Sequence, residues 1–377
     1  FPYTTLFRST YHYGTNLQGT VMNNKEIISL SMDRLRFPLI CGVVFIHNQL
    51  KGDISISGQS LSIPDVPWYE AVINLFSYVI PCIAVPIFFI VSGYLFFKEG
   101  TFNEKLYLTK IKKRFWSLLI PYVLWNTLCL LIFIFVRIPA LHGLFPNVSL
   151  EEVTLPKVLS GYWACEGNGF PFDFPLWYVR ELILMVIISP LLYVVVKKMR
   201  VCFFIPIVIC MFFSLCPKEF GFTLNACFFF SLGLYTRLFS HVIEYVERLN
   251  FIKYLYFLLI AADLYTVTLG LPVNHYIHLL VIFSGILTVF NYVFISVKKG
   301  KNGCLFKEEV FFIYASHGLF IAFLQKAVLK IMRPITEVEF LAIYFLVPIL
   351  TITISIGMYG CMKRVTPKVL SILVGGR

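Results

Sequence analysis

Apolar residues in this chain gather into runs at 32–50, 71–97, 115–137, 176–196, 201–216, 222–239, 252–270, 276–297, 309–328 and 339–362, separated by short polar stretches. A helix needs roughly 20 residues to cross a hydrocarbon layer. Most runs approach that length; the fifth is short and the second long. The second holds Pro81 and Pro86, which predict a kinked and locally irregular helix. The expected fold class is all-α: a polytopic membrane protein of about ten transmembrane helices, built as a single domain over residues 22–377. Residues 1–21 are expected to be a non-native or disordered leader, with Met22 as the start. No short helical repeat appears, and the two halves of the chain do not match, which weakens an inverted-repeat transporter.

Composition narrows the class further. Hydrophobic residues make up 58% of the chain and charged residues 14%, against about 25% charge in a soluble domain. Such a chain cannot cover a water-facing surface, so membrane lipid is its expected solvent. A net charge of +12 would suggest nucleic acid in a soluble protein. Here most Lys and Arg residues fall in alternate polar stretches: 22–36, 98–114, 197–200, 237–253, 298–307 and 363–377. That bias predicts cytoplasmic N- and C-termini and no nucleic-acid partner. The ten cysteines sit mostly inside apolar runs, and their spacing suggests packing, not a zinc site or a disulfide framework.

Candidate chemistry begins in the first run. Arg36 and His47 are eleven residues apart, which on a helix leaves them about 20° from alignment and about 16 Å apart along the axis. A guanidinium at one rim and an imidazole deeper in the membrane therefore share one face. Ionisable groups at such depth are costly and mark function by default. The ordinary alternatives are a topology-setting arginine and an interfacial histidine flanked by Asn48 and Gln49. Asp263, in the seventh run, has no clear partner, and a helix–helix hydrogen bond is its plain reading.

Several segments in order resemble the acyltransferase-3 family of bacterial integral membrane O-acyltransferases. They are Arg36 and His47 with ten residues between, the stretch Pro86-Ile87-Phe88-Phe89 through Ser92-Gly93-Tyr94, and Lys112-Lys113-Arg114 leading to Pro121-Tyr122. Pro175-Leu176-Trp177-Tyr178-Val179-Arg180-Glu181 and Tyr314-Ala315-Ser316-His317-Gly318 complete the set.

The resemblance implies a multi-pass protein of the bacterial inner membrane. It implies transfer of an acyl group, expected to be acetyl, from acyl-CoA to a hydroxyl of a surface polysaccharide or other glycan. Acyl-CoA is then a co-substrate, no cofactor or metal is held permanently, and glycan-assembly proteins are possible partners. His47 is the expected general base or transient acyl carrier, and the residues do not choose between those roles. Arg36 stands beside it. Lys112, Lys113 and Arg114, with Arg36, are candidates for the CoA phosphates, because guanidinium pairs phosphate in a bidentate way and ammonium acts as a point charge. Glu181 is a candidate for orienting His47, and Asn48, Trp177, Arg180 and His317 for the acceptor. Since helix neighbours diverge by 100°, only one of Arg180 and Glu181 is expected to line the site. The outer loop 138–175, with Tyr162, Trp163 and Phe170, is the expected acceptor-recognition element.

Two other classes remain open on the sequence. A transporter or flippase of a polar lipid or acyl compound would use Arg36 and His47 as substrate or proton sites. A membrane scaffold for polysaccharide assembly would use neither.

Overall fold

A computed structural model describes residues 24–56, 59–136, 154–165, 169–215, 223–239, 241–300 and 303–376. The expected leader and residues 138–153 and 166–168 of the expected recognition loop lie outside the described residues. Among the described residues the fold is all-α apart from one small hairpin, β1 (Asp53–Ile56) paired antiparallel with β2 (Gln59–Ser62).

Helix α1 (Asn24–His47) is central. It packs against α3 (Ala84–Phe96), α12 (Asn274–Lys298), α13 (Val310–Met332) and α14 (Glu337–Val365). Its polar residues are therefore held inside the bundle. Large apolar side chains such as Leu131, Phe135, Ile187 and Phe257 are exposed instead. An apolar exterior around a core with buried charge is what a lipid solvent selects.

Proline explains the irregular stretches. Between α2 (Pro67–Asn74) and α3 lie a π turn at Leu75–Val79 and a 3₁₀ turn at Pro81–Ile83. Pro81 has no N–H to give, so the chain shifts its hydrogen-bond register around it, and Ile80 N–H reaches back to Leu75 O at 2.9 Å. Pro86 sits in the first turn of α3, where no donor is required. The same device recurs ahead of Pro121. There a π turn at Phe115–Leu119 joins α4 (Glu104–Arg114) to α5 (Ile120–Val136).

Further along are α6 (Leu155–Gly161), α7 (Trp177–Met199), α8 (Phe204–Phe212), α9 (Leu224–Leu238), α10 (His241–Arg248) and α11 (Ile252–Thr268). A short helix α15 (Pro367–Leu373) follows α14. Helices α3 and α9 cross at two glycines. A Cβ on Gly93 would lie 2.0 Å from Phe230 O, and one on Gly233 would lie 2.1 Å from Ile90 O. Only small residues allow backbones this close.

Six helical runs among the described residues are long and apolar enough to cross a membrane: Pro67–Phe96, Glu104–Phe135, Phe174–Phe212, Asn274–Lys298, Val310–Met332 and Glu337–Val365. Length and hydropathy thus give a multi-pass membrane protein with fewer clear spans than the sequence pattern. The reasons are local. Asp33, Arg34 and Arg36 load α1 with charge. Helices α9 and α11 have 15 and 17 residues. The fourth and fifth expected runs form one long run, broken at Arg200, whose φ is 52°.

Candidate active site

A cavity of about 660 Å³ opens among α1, α3, α4, α7, α13, α14 and α15. One end is cationic: Arg36, Arg114, Lys307 and Lys363 line it, with Glu308 as the single carboxylate. Its bore is apolar, formed by Ile40, Val43, Val85, Phe88, Val91 and Leu182 among others. Arg36 is tied to Asp33 at 2.9 Å, Lys307 pairs with the same carboxylate, and Lys363 meets Glu308 at 2.7 Å. Arg114 lies 5.8 Å from the Phe96 ring centre and has no ion pair or hydrogen bond among the described residues. An unpaired guanidinium facing a cavity is an anion site in waiting. Burial and the nearby Asp33 carboxylate raise the pKa of the Cys304 thiol, which donates to Asp33 O at 2.9 Å. That thiol is therefore a poor nucleophile.

The α1 face runs through the cavity as Arg36, Ile40 and Val43 at helical spacing. Its next member is His47. The lining stops at Val43 on α1 and at Tyr314 on α13, one turn short of His47 and of His317. Arg36 and His47 thus share a face, but only Arg36 lines this cavity. His47 makes no hydrogen bond among the described residues. Its ring lies 5.1 Å from that of His317, with planes 31° apart. His317 is fully buried; its Nδ1–H donates to Tyr314 O at 2.5 Å, and its Nε2 has no partner among the described residues. On its other side His47 meets Phe174 edge to face, with centroids 4.8 Å apart.

The remaining expected residues are placed as follows. Lys112 and Lys113 are exposed in the last turn of α4 and do not line the cavity. Neither Arg180 nor Glu181 lines it either, although Tyr178, Val179 and Leu182 on the same helix do. Arg180 donates to Gly169 O at 3.0 Å and to Trp163 O, and lies over the Trp163 ring at 5.5 Å. It ties Trp163 and Gly169 to α7. Glu181 accepts from the Thr223 hydroxyl at the start of α9. Asn48 Nδ2 donates to Tyr344 O at 2.8 Å, and Trp177 packs against the core.

Sequence reasoning missed Lys307, Lys363 and the α15 wall. The two lysines read as ordinary topology charge. The segment after α14 holds only a short apolar stretch at 369–374, yet Trp125 Nε1–H donates to Leu373 O at 3.1 Å and Gly375, with φ of 68°, lies against Ser117 O. Asp263 also has a partner: its carboxylate meets His278 Nδ1 at 2.8 Å and accepts from Asn274 Nδ2 at 2.6 Å.

Comparison with known proteins adds a family. The model of a family described as an acyltransferase domain, Acyl_transf_3, matches residues 29–360. The succinoglycan biosynthesis protein ExoH of Rhizobium meliloti (strain 1021) is 25% identical over 226 residues, which are 59% of this chain and 57% of that relative. The chain thus spans little more than half the length of that relative. No solved structure matches.

Proposed function

Since the chain belongs to the acyltransferase-3 family, we propose that it moves an acyl group, acetyl in the first instance, from acyl-CoA to a hydroxyl of a surface polysaccharide. The family supports the reaction class. The relative named for succinoglycan biosynthesis supports a glycan acceptor. The observation that carries the donor is the cavity itself, with four cations at one end, an unpaired Arg114 and an apolar bore along α1. A polyanionic nucleotide with a long uncharged arm has that same division. Arg114, Arg36, Lys307 and Lys363 hold the phosphates in this reading, and the arm runs along Ile40 and Val43 toward His47. The acyl end has to pass between Val43 and Tyr314 to reach the imidazole.

There His47 takes the proton of the acceptor hydroxyl as the oxygen bonds to the thioester carbonyl carbon. The carbon–sulfur bond then breaks, and the imidazolium returns the proton to the departing thiolate. The products are an ester and free CoA, with His47 neutral again. In this reading the chain crosses the bacterial inner membrane ten times, with both termini in the cytoplasm, so that CoA stays on the side where it is made.

The test uses purified protein in lipid vesicles, labelled acetyl-CoA, and polysaccharide from cells lacking the gene. Ester-linked label on the glycan with matching thiol release is the expected result. Glycan that stays unlabelled while acetyl-CoA remains intact removes the proposal. Reporter fusions at each polar stretch test the ten crossings.

A further inference from the structure

Phe174 opens a single 3₁₀ turn, Phe174–Leu176, at the start of α7. Its ring contacts His47 at 4.8 Å with planes 83° apart, and 38% of its surface is open. The donor cavity approaches His47 from the Val43 and Tyr314 level. Phe174 is not among its lining residues and covers His47 from another direction. The turn is also held from several sides. Tyr314 donates to Pro175 O, and Asp173 N–H donates to Asn126 Oδ1 at 3.0 Å. At Gly318, a Cβ would come within 2.8 Å of Pro175 Cγ and 3.3 Å of Phe174 Cε1. An exposed aromatic ring at a membrane boundary usually serves as an interfacial anchor. An anchor does not need three tethers, nor a place directly on an imidazole whose nitrogens lack hydrogen bonds.

We propose that Phe174 is a specificity-determining residue that forms the acceptor-side wall at His47, where a sugar ring of the incoming glycan stacks and water is kept off the imidazole. The inference rests on the acyl-transfer reading above. An aromatic ring offers a rigid apolar surface that takes the C–H face of a pyranose while leaving its hydroxyls free to turn toward His47. Without that surface, water reaches the imidazole as a competing hydroxyl. The thioester is then cleaved to a carboxylic acid and free CoA, with the water proton passing through His47 to the thiolate. Tyr314 is a positioning residue here. It borders the donor cavity and bonds to the carbonyl beside Phe174, so the two sides of His47 are mechanically joined.

The experiment compares wild type, Phe174→Leu and Phe174→Trp in vesicles. Leucine keeps an apolar anchor and discards the flat ring; tryptophan keeps both. Three quantities are read: acceptor KM with polysaccharide from cells lacking the gene, donor KM with acetyl-CoA, and the ratio of thiol released to ester formed. Phe174→Leu is expected to raise acceptor KM by about five- to tenfold, to leave donor KM unchanged, and to raise the thiol-to-ester ratio. Phe174→Trp is expected to restore both. Binding of the same polysaccharide without donor, followed by tryptophan fluorescence, should weaken in Phe174→Leu alone. An unchanged thiol-to-ester ratio and unchanged glycan binding in Phe174→Leu overturn the inference while leaving the transferase reading standing. A wild type that binds the glycan through Phe174 yet cleaves no thioester fails the transferase reading instead, and the shielding role with it.

Discussion

His47 and His317 face each other as two imidazoles of unequal freedom, with ring centroids 5.1 Å apart. His317 spends its Nδ1–H on Tyr314 O and so presents a bare Nε2. His47 is bonded to nothing among the described residues. The fixed ring sets a wall, and the free ring is able to take and return a proton. Replacing His47 with Ala should therefore reduce acyl transfer by about 10²–10⁴-fold with normal protein yield. His317→Asn, which keeps an N–H for Tyr314 O, should retain more activity than His317→Ala. Thiol release from acetyl-CoA in the presence of glycan measures both, and near-normal turnover by His47→Ala would remove the mechanism.

The basic residues ahead of the third run divide sharply. Lys112 and Lys113 face outward, whereas Arg114 lines the cavity and makes no ion pair among the described residues. A charge-assisted hydrogen bond contributes about 1.5–3 kcal/mol. Arg114→Ala should then raise KM for acetyl-CoA by roughly 10- to 100-fold, with a smaller change in kcat. The double substitution of Lys112 and Lys113 with Ala should leave KM nearly unchanged. Equal effects from the two sets would mean that surface potential, not a specific contact, gathers the donor.

Glu181 is buried against Thr223, and Thr223 also accepts the Ala226 N–H at the head of α9. This carboxyl joins two helices. Glu181→Gln, which preserves shape and a hydrogen bond to the hydroxyl, should keep transfer within about threefold of wild type, well short of the loss expected from a general-base partner. Thr223→Val should instead lower stability by about 1–2 kcal/mol through the lost cap, read as a lower Tm in detergent. A large fall in kcat for Glu181→Gln would restore the catalytic role expected from the sequence.

The α3–α9 crossing depends on two missing side chains. With Cβ positions 2.0 and 2.1 Å from carbonyl oxygens, Gly93→Ala or Gly233→Ala must push the helices apart. Overpacking of this kind costs about 1–3 kcal/mol. Both variants should show a lower Tm and reduced yield. A Gly93→Ala protein as stable as wild type would mean that the helices do not approach this closely.

The Arg36–His47 register was legible because helical period is fixed by backbone geometry, whatever surrounds it. So was the irregularity around Pro81, since a missing N–H is a property of the residue. The turning of Glu181 toward Thr223 was not legible, because adjacent helix positions diverge and only the packing of α7 against α9 decides which way each faces. Asp263 and His278 come together across the α11–α12 turn, and a single sequence carries no sign of that closeness. The span count suffered for a related reason. Asp33, Arg34 and Arg36 leave α1 outside the helices that are long and apolar enough to cross a membrane.

Asp173, just ahead of α7, supplies a test by pH. Its side chain is buried, Oδ2 has no partner among the described residues, and burial raises its pKa well above the ordinary 3.8. The folded protein therefore holds the proton more tightly than the unfolded chain does. The resulting stability is complete below the ordinary carboxylate value and is lost as pH rises toward the raised folded pKa, by at most about 1.4 kcal/mol per pH unit. Asp173→Asn keeps the backbone N–H that Asn126 accepts and places a neutral amide where the acid was. Its Tm in detergent should fall less steeply than that of wild type as pH rises from about 4, and the two curves should diverge most at the alkaline end. Parallel curves would mean that Asp173 ionises freely in the folded protein, with a partner or water reaching its carboxylate.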